Sequence, residues 1–109
     1  MGKWKQGDIV WIYDEEFTQC YQAVVIGELR EGEYSLSSVT YTNDGKAHQN
    51  PIELRLESQI WGSVEEAARA VAEDFRDELL QNSISWYDEQ QDYKKLHDKQ
   101  KSPPEVENA

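Results

Sequence analysis

The pattern of apolar residues in this chain changes once, at Ser63, and that change restricts the fold more than any other feature. Before Ser63, runs rich in β-branched and aromatic residues are separated by polar or glycine-containing breaks, as in strands joined by turns. After it, apolar residues recur at three- and four-residue steps, which is typical of an amphipathic helix. The sequence therefore predicts an α+β protein, a small antiparallel β-barrel followed by C-terminal α-helices. Strands are predicted at 9–13, 21–29, 34–41 and 52–56, with a short fifth strand at 58–61.

Turn residues support the barrel prediction. Arg30 to Glu33 and the Asn43-Asp44-Gly45 sequence are typical of hairpin turns, because Asn, Asp and Gly tolerate the left-handed backbone conformation. A Gly7-Asp8 turn leads into the first apolar strand, and an acidic loop then precedes a second strand with an aromatic residue near its start. This opening is typical of SH3-like barrels, which bind other molecules and rarely catalyse reactions.

The helical segment begins with a capping box. The Ser63 hydroxyl can accept a backbone N–H, and the Glu66 side chain can reach back to the cap residue. The first helix should present one apolar stripe, which consists of Val64, Ala68, Val71, Phe75 and Leu79.

The number of helices is less constrained. Asn82-Ser83 weakens helix propensity, and Ser85 can cap a second helix that runs to about Lys99, so we predict two helices. The alternative is one long helix, because three later residues continue the same stripe: Trp86, Tyr93 and Leu96. The expected organisation is a barrel over 1–62, a helical segment over 63–101 and a disordered tail over 102–109.

Charge and cysteine content limit the classes of function. The chain has 22 acidic and 11 basic residues, a net charge of −11, which disfavours direct binding to nucleic acids or anionic membranes and favours basic partners. The alternative is that this acidity only maintains solubility. With one cysteine and no run of about 20 apolar residues, we expect a cytoplasmic protein, or a nuclear one in a eukaryote, that is not secreted.

No pattern of catalytic or metal-binding residues stands out. Cys20 is more typical of a small core residue than of a nucleophile, and neither His48 nor His97 has a Cys or His at metal-ligand spacing. The acids do not follow the spacing of a calcium-binding loop, and no phosphate-binding glycine-rich loop is present. We therefore predict a protein that is not an enzyme and needs no cofactor or metal.

Several segments of the first half together resemble the Tudor domain, notably the survival-of-motor-neuron type. They are Trp4-Lys5-Gln6-Gly7-Asp8, Tyr21-Gln22-Ala23, Val39-Thr40-Tyr41-Thr42, Gly45 and Asn50. The resemblance implies a five-stranded SH3-like barrel that binds methylated arginine or lysine in a cage of four aromatic rings and an asparagine. Ring faces attract weakly hydrated cations, which is the physical basis of such cages. Tyr21, Tyr41 and Asn50 fall at cage positions, whereas the other two ring positions fall near Asp14 and Asp44, with Tyr13 one residue away.

The main functional hypothesis is a non-catalytic module that binds basic, including methylated, protein segments. Its predicted ligand-binding residues are Tyr13, Phe17, Tyr21, Tyr41, Asn50, Asp14, Glu15, Glu16 and Asp44. The alternative is that alternate rings are core and that the acids form a solvated loop, and Trp11 and Val25 are expected in the core in either case.

Residues 63–92 support a second hypothesis, because nine acids and two arginines give this stretch a net charge of −7. A row of acids at Glu66, Glu73 and Asp77 could imitate nucleic-acid phosphates, as in a small inhibitor encoded by a mobile element. The alternative is an ordinary solvated helix face. A third possibility is homo-oligomerisation through a stripe that contains Trp86 and Tyr93.

Overall fold

The structure is a computed structural model that describes residues 2–101 and has an α+β architecture. Four strands form a curled antiparallel sheet in the order β1-β2-β3-β6, a half-barrel, and β4 and β5 form a separate hairpin. Two helices follow the strands, and the second is long. The predicted order of a small barrel followed by helices is confirmed. The elements are β1 (Ile9–Asp14), β2 (Gln19–Arg30), β3 (Glu33–Ser37), β4 (Val39–Tyr41), β5 (Ala47–Gln49), β6 (Glu53–Leu56), α1 (Val64–Val71) and α2 (Arg76–Lys101).

The concave side of the curled sheet holds the first core. Strand residues alternate between the two faces, so the β1–β2 register, which places Val10 opposite Ala23 and Ile12 opposite Tyr21, sends all four side chains inward. The partly buried rings of Trp4 and Tyr21 pack against this core. Its buried members are Val10, Ile12, Ala23, Val25, Tyr34, Leu36 and Ile60.

The convex side of the sheet forms a second core with the helices. Trp11 and Cys20 point outward from β1 and β2, and they pack against three small residues of the α1 segment and Leu79 of α2. The small residues, Ala67, Ala68 and Ala72, let α1 approach the sheet closely. The core positions predicted for Trp11 and Val25 are confirmed, on opposite faces of the sheet.

Both predicted turns are present, and each uses a glycine with positive φ. Gly32 has φ of 77° and Gly45 has φ of 86°, values that cost other residues more than glycine. The predicted strand 34–41 is interrupted at Ser38, which divides it into β3 and β4. The fifth strand predicted at 58–61 does not form, because residues 57–59 form a 3-10 turn. Of the predicted strand, Trp61 alone makes a β-bridge, to Trp11 of β1.

Residues 2–101 contain two α-helices, but the predicted break at Asn82-Ser83 is wrong. Helix α1 ends at Val71, where Ala72 takes an extended conformation, and α2 then continues through residues 82 and 83 without interruption. The break at 72–75 allows α1 to pack on β1 while α2 follows a different path over β2 and β4. The predicted disordered tail lies outside the described residues, and no helix within them has the length and apolarity to cross a bilayer.

Candidate functional site

An open pocket of about 450 Å³ lies where the β1–β2 turn, the β4–β5 hairpin and α2 meet. Each of these elements contributes side chains, so the pocket depends on the packing of the helix against the sheet. Its lining residues are Asp14, Phe17, Gln19, Tyr21, Ser38, Thr40, Asn50, Pro51, Glu53 and Trp86.

Three aromatic rings line this pocket. Tyr21 and Trp86 meet edge to face, with ring centroids 6.1 Å apart and an interplanar angle of 69°. Phe17 is 65% exposed, and its ring therefore remains available to a ligand. Rings held at an angle to one another present more than one face to a bound cation.

Two carboxylates accompany the rings. The Tyr21 hydroxyl donates a hydrogen bond to Glu53 Oε2, while Glu53 Oε1 lies 2.7 Å from Arg55 Nη2. Burial, followed by the hydrogen bond and the negative charge of Glu53, raises the pKa of Tyr21 above its ordinary value, so its hydroxyl remains a donor at neutral pH. Asp14 Oδ1 accepts the Glu16 backbone N–H at 2.9 Å, and Asp14 forms no salt bridge with any residue in the range 2–101.

Asn50 is held in place by the β4 side of the pocket. Its Nδ2 donates to Ser38 Oγ at 3.1 Å and to Thr40 Oγ1 at 2.8 Å, and its backbone N–H donates to the Ser38 carbonyl at 3.0 Å. These three bonds restrict the amide to one orientation. The pocket therefore combines apolar ring faces, a fixed amide and carboxylates, a set that suits an organic cation better than an anion.

Four of the residues predicted for the ligand site come together in this pocket: Asp14, Phe17, Tyr21 and Asn50. Asp14 and Tyr21 lie on the same face of the sheet. Ile12 pairs with Tyr21 and shares its face, and Asp14, two residues after Ile12 in β1, points to that face as well. Tyr13 points to the opposite face and packs into the convex core, so it cannot replace a cage ring by a shift of one residue.

The other predicted residues lie elsewhere. The Tyr41 ring contacts His97 of α2, with ring centroids 5.4 Å apart, and Asp44 accepts from the Thr42 hydroxyl and lies 4.0 Å from Lys46 Nζ. That hydroxyl is the main reason the pKa of Asp44 is lowered. Glu15 and Glu16 are exposed in the β1–β2 turn and add negative charge near the pocket without lining it.

Six lining residues were not predicted as site residues, and Glu53 and Trp86 are the charged and the aromatic ones among them. The alternation Glu53-Leu54-Arg55-Leu56 would normally place the leucines inside, but the β3–β6 register puts Glu53 opposite Leu36 and directs both toward the concave side. Leu54 and Leu56 consequently are about half exposed. The signal for Trp86 was its position on the helical stripe, which indicates contact with the sheet but does not specify a pocket.

The β1–β2 turn is tied to α2 beside the pocket. Thr18 has φ of 48°, an unusual value for a β-branched residue, and its carbonyl accepts from Asn82 Nδ2 at 3.3 Å. At the next residue of α2, the Ser83 hydroxyl accepts the Cys20 backbone N–H at 2.8 Å and donates to the Leu79 carbonyl at 2.7 Å. The polar pair that suggested a helix break instead anchors α2 to the strands that carry Phe17 and Tyr21.

Cys20 and His97 occupy structural positions. Cys20 is fully buried, and burial raises the pKa of its thiol to about 11, against a smaller lowering by the Ser83 hydrogen bond. His97 Nδ1 is hydrogen-bonded to the Gly45 carbonyl at 2.9 Å, which joins α2 to the hairpin turn, and His48 is exposed on β5. Among residues 2–101, no three His, Cys, Asp or Glu side chains are grouped in a way that could hold a metal ion.

The predicted row of acids on one helix face does not form. Glu66 lies in α1, where its Oε1 accepts the Gly62 backbone N–H at 3.2 Å, while Glu73 lies between the helices and Asp77 in the first turn of α2. A different acidic surface is present, because at 100° per residue five exposed acids of α2 fall within an arc of about 120°. This α2 acidic face consists of Asp77, Glu78, Asp88, Glu89 and Asp92.

Comparisons with protein-family models, curated proteins and solved structures find no match for this chain. The structure is compatible with a small barrel at the level of a curled antiparallel half-barrel, while the Tudor resemblance continues to rest on the sequence segments.

Proposed function

We propose that this chain is a non-catalytic interaction module, with a Tudor-like barrel, that binds basic protein segments and accepts methylated ones. The observation that supports this proposal most directly is the pocket that brings Phe17, Tyr21 and Trp86 together with Asn50 and two carboxylates. A cation over an aromatic face gains about 0.5–2 kcal/mol, more as it loses water. Methylation lowers the hydration of an arginine or lysine head group, so methylated side chains should enter at smaller cost.

The electrostatics favour the same class of partner. Asp14 has no cationic partner within the described range, and Glu15 and Glu16 follow it in the same turn. Glu53 is partly neutralised by Arg55, so its carboxylate acts together with the fixed Tyr21 hydroxyl rather than as an isolated charge. The chain's net charge of −11 would attract basic segments at long range, with a rate that falls as salt increases.

The test measures binding of a neutral host peptide that carries one arginine, one dimethylated arginine, one lysine or none. We expect binding only with a cation, weaker at higher salt, and about tenfold weaker in Asp14→Asn and in Glu53→Gln, since each removes a charge at nearly constant shape. Glu31→Gln and Asp44→Asn are matched controls, because both acids are exposed and lie outside the pocket.

Two results would contradict the proposal. One is the failure of every cationic peptide to bind in a salt-sensitive way. The other is an equal loss of affinity in the pocket variants and in the control variants, which would indicate attraction by overall charge alone.

A second candidate function, inhibition of a nucleic-acid-binding protein by charge mimicry, is favoured by the α2 acidic face. Asp77, Asp88 and Asp92 lie along about 22 Å of one helix and are all exposed. The ordinary explanation, a solvated helix face opposite an apolar stripe, predicts no partner there.

Charge reversal distinguishes these explanations. Under mimicry, the triple change of Asp77, Asp88 and Asp92 to lysine should abolish retention of a DNA-binding protein in pulldowns from the native cell, while reversal of Glu66 and Glu73 should not. Peptide binding in the pocket should survive both sets of changes. If no such protein is retained by the unchanged chain, the mimicry candidate is wrong.

A further inference from the structure

An apolar groove of about 270 Å³ adjoins the candidate cation pocket, and Ser38 and Trp86 line both. Ile9 and Val24, opposite one another across β1 and β2, form one side of the groove and are 60% and 41% exposed. Val39 of β4 and the rings of Tyr41 and Tyr87 also line the groove. Ile9 and Val24 belong to the convex face of the sheet, beyond the part of that face that α1 and the first turns of α2 cover.

The groove differs from the cation pocket in charge. Of the described residues that line it, Lys94 is the one that carries a charge, and the polar remainder consists of serines and glutamines. A second basic side chain would therefore be disfavoured here, whereas an apolar one would bury surface against Ile9, Val24 and Trp86. Burial of such a side chain is worth about 1.5–3 kcal/mol when it is complete.

The backbone of β4 borders the groove with a strand edge. Ser38 and Thr42 hydrogen-bond across the β4–β5 hairpin, since the Asn50 N–H donates to the Ser38 carbonyl at 3.0 Å and the Thr42 N–H donates to the Lys46 carbonyl at 2.9 Å. Bonding residues alternate in an antiparallel pair, so the N–H and C=O of Val39 and Tyr41 face the other edge.

Gln90 shows that this edge accepts a partner. Its side chain, 7% exposed, receives the Tyr41 N–H at 2.8 Å and donates to the Tyr41 carbonyl at 2.9 Å, as a neighbouring strand would. Val39, two residues earlier on the same edge, borders the open groove. An extended peptide that continued this edge would use backbone hydrogen bonds as well as side-chain contacts.

We propose that the partner is an extended peptide segment in which a large apolar residue lies two positions from a basic residue. The basic side chain occupies the cation pocket, and the apolar side chain occupies the groove on the other side of Trp86. This inference rests on the proposed function, because it requires the cation pocket to be occupied. Side chains two positions apart on an extended chain point to the same side and are about 6.5–7 Å apart. That spacing would place them on either side of Trp86, which lines both the pocket and the groove.

The test compares host peptides with arginine alone, leucine alone, both residues two positions apart in either order, and arginine with a second arginine in place of leucine. We expect one order of the double peptide to bind about tenfold tighter than the arginine peptide, and the two-arginine peptide to show no such gain. Variants Ile9→Thr and Val24→Thr keep the β-branched shape but place a hydroxyl in the groove. They should reduce the gain to less than threefold and leave affinity for the arginine peptide unchanged.

The outcomes separate this inference from the proposed function. Equal affinities of the arginine and both double peptides would overturn the inference and leave the cation pocket intact. A gain that Ile9→Thr and Val24→Thr do not reduce would also overturn it, since leucine would then bind elsewhere. Absence of binding by every cationic peptide, the lysine and dimethylated arginine peptides included, would contradict the proposed function itself. Tight binding of leucine alone that Asp14→Asn leaves unchanged would refute the coupling of the two sites.

Discussion

Two successive stretches of α2 pack against the strands in opposite ways. In the closed stretch, residues 76–83, Leu79 and Ser83 have no exposed surface and lie directly against the strands near Cys20. In the open stretch, which begins at Trp86, the rings of Trp86 and Tyr87 are only half-buried, and two open pockets flank the helix where it passes β4. One helix therefore includes both a closed structural contact and the wall of a candidate binding site.

Side-chain size explains the difference. A leucine, a serine and a cysteine allow the helix backbone to approach the sheet, and the buried Cys20 N–H is satisfied by the Ser83 hydroxyl. In the open stretch two large rings follow one another, and both line an open groove, so the space between helix and strands is not filled there. The candidate site therefore depends on incomplete packing around Trp86, next to a stretch of the same helix in which Leu79 and Ser83 pack with no exposed surface.

The largest effect should come from Leu79→Ala. This change removes a fully buried side chain from the convex core, so we expect the free energy of unfolding to fall by about 3 kcal/mol, measured by chemical denaturation. Ile84→Ala on the same helix is the control, because Ile84 is 38% exposed and should cost less than about 1 kcal/mol. Equal costs would contradict the assignment of Leu79 to the closed contact with the strands.

Ser83→Ala should be the next most destabilising change. It leaves the buried Cys20 N–H without its acceptor, which we expect to lower the free energy of unfolding by about 2 kcal/mol. Ser85→Ala, at an exposed position in the same helix, should alter stability by less than about 0.5 kcal/mol. A neutral Ser83→Ala would show that the helix is held there by apolar packing alone.

In the open stretch, Trp86→Leu should affect binding more than folding. Loss of the indole face should weaken binding of the single-arginine peptide about tenfold, or about 1.4 kcal/mol, because leucine cannot supply a cation–π contact. Tyr87→Leu should show the reverse pattern, since Tyr87 contacts Trp11 with ring centroids 5.6 Å apart and does not line the cation pocket. Titration calorimetry measures the peptide affinity of both variants, and chemical denaturation measures their stability. Equal losses of affinity and of stability in Trp86→Leu and Tyr87→Leu would be inconsistent with the proposed site.

The last effect concerns Cys20 beside the closed stretch and appears only at alkaline pH. The pKa of Cys20 is raised from 9.0 to about 11 in the fold, so the neutral thiol is favoured there. The corresponding stability is fully present below pH 9 and is lost as the pH rises through the folded value. The stability difference between the unchanged protein and Cys20→Ala should therefore shrink from pH 9 to pH 11, and a constant difference would contradict the burial argument.

The sequence predicted the α+β class, the two glycine turns and the core positions of Trp11 and Val25. It misplaced the helix break because Asn82 and Ser83 have low helix propensity. Propensity does not report the hydrogen bonds that these two side chains form with the backbone of Thr18 and Cys20, which lie far away in the sequence. For the site, it identified Asp14, Phe17, Tyr21 and Asn50 but also Tyr13 and Tyr41, because aromatic type alone does not reveal which face of a strand a ring occupies.

What the sequence by itself determined is local: turn positions follow from glycine and asparagine, and the start of α1 follows from the Ser63 cap. What only the tertiary structure decided is which face of a strand is buried and which distant segments meet. Glu53 reaches the pocket through the β3–β6 register, and Trp86 reaches it because the chain changes direction at Ala72, before α2 begins. The reason is that a pocket is the space between elements, and its shape depends on how side chains of several elements fit together rather than on the pattern of any one of them.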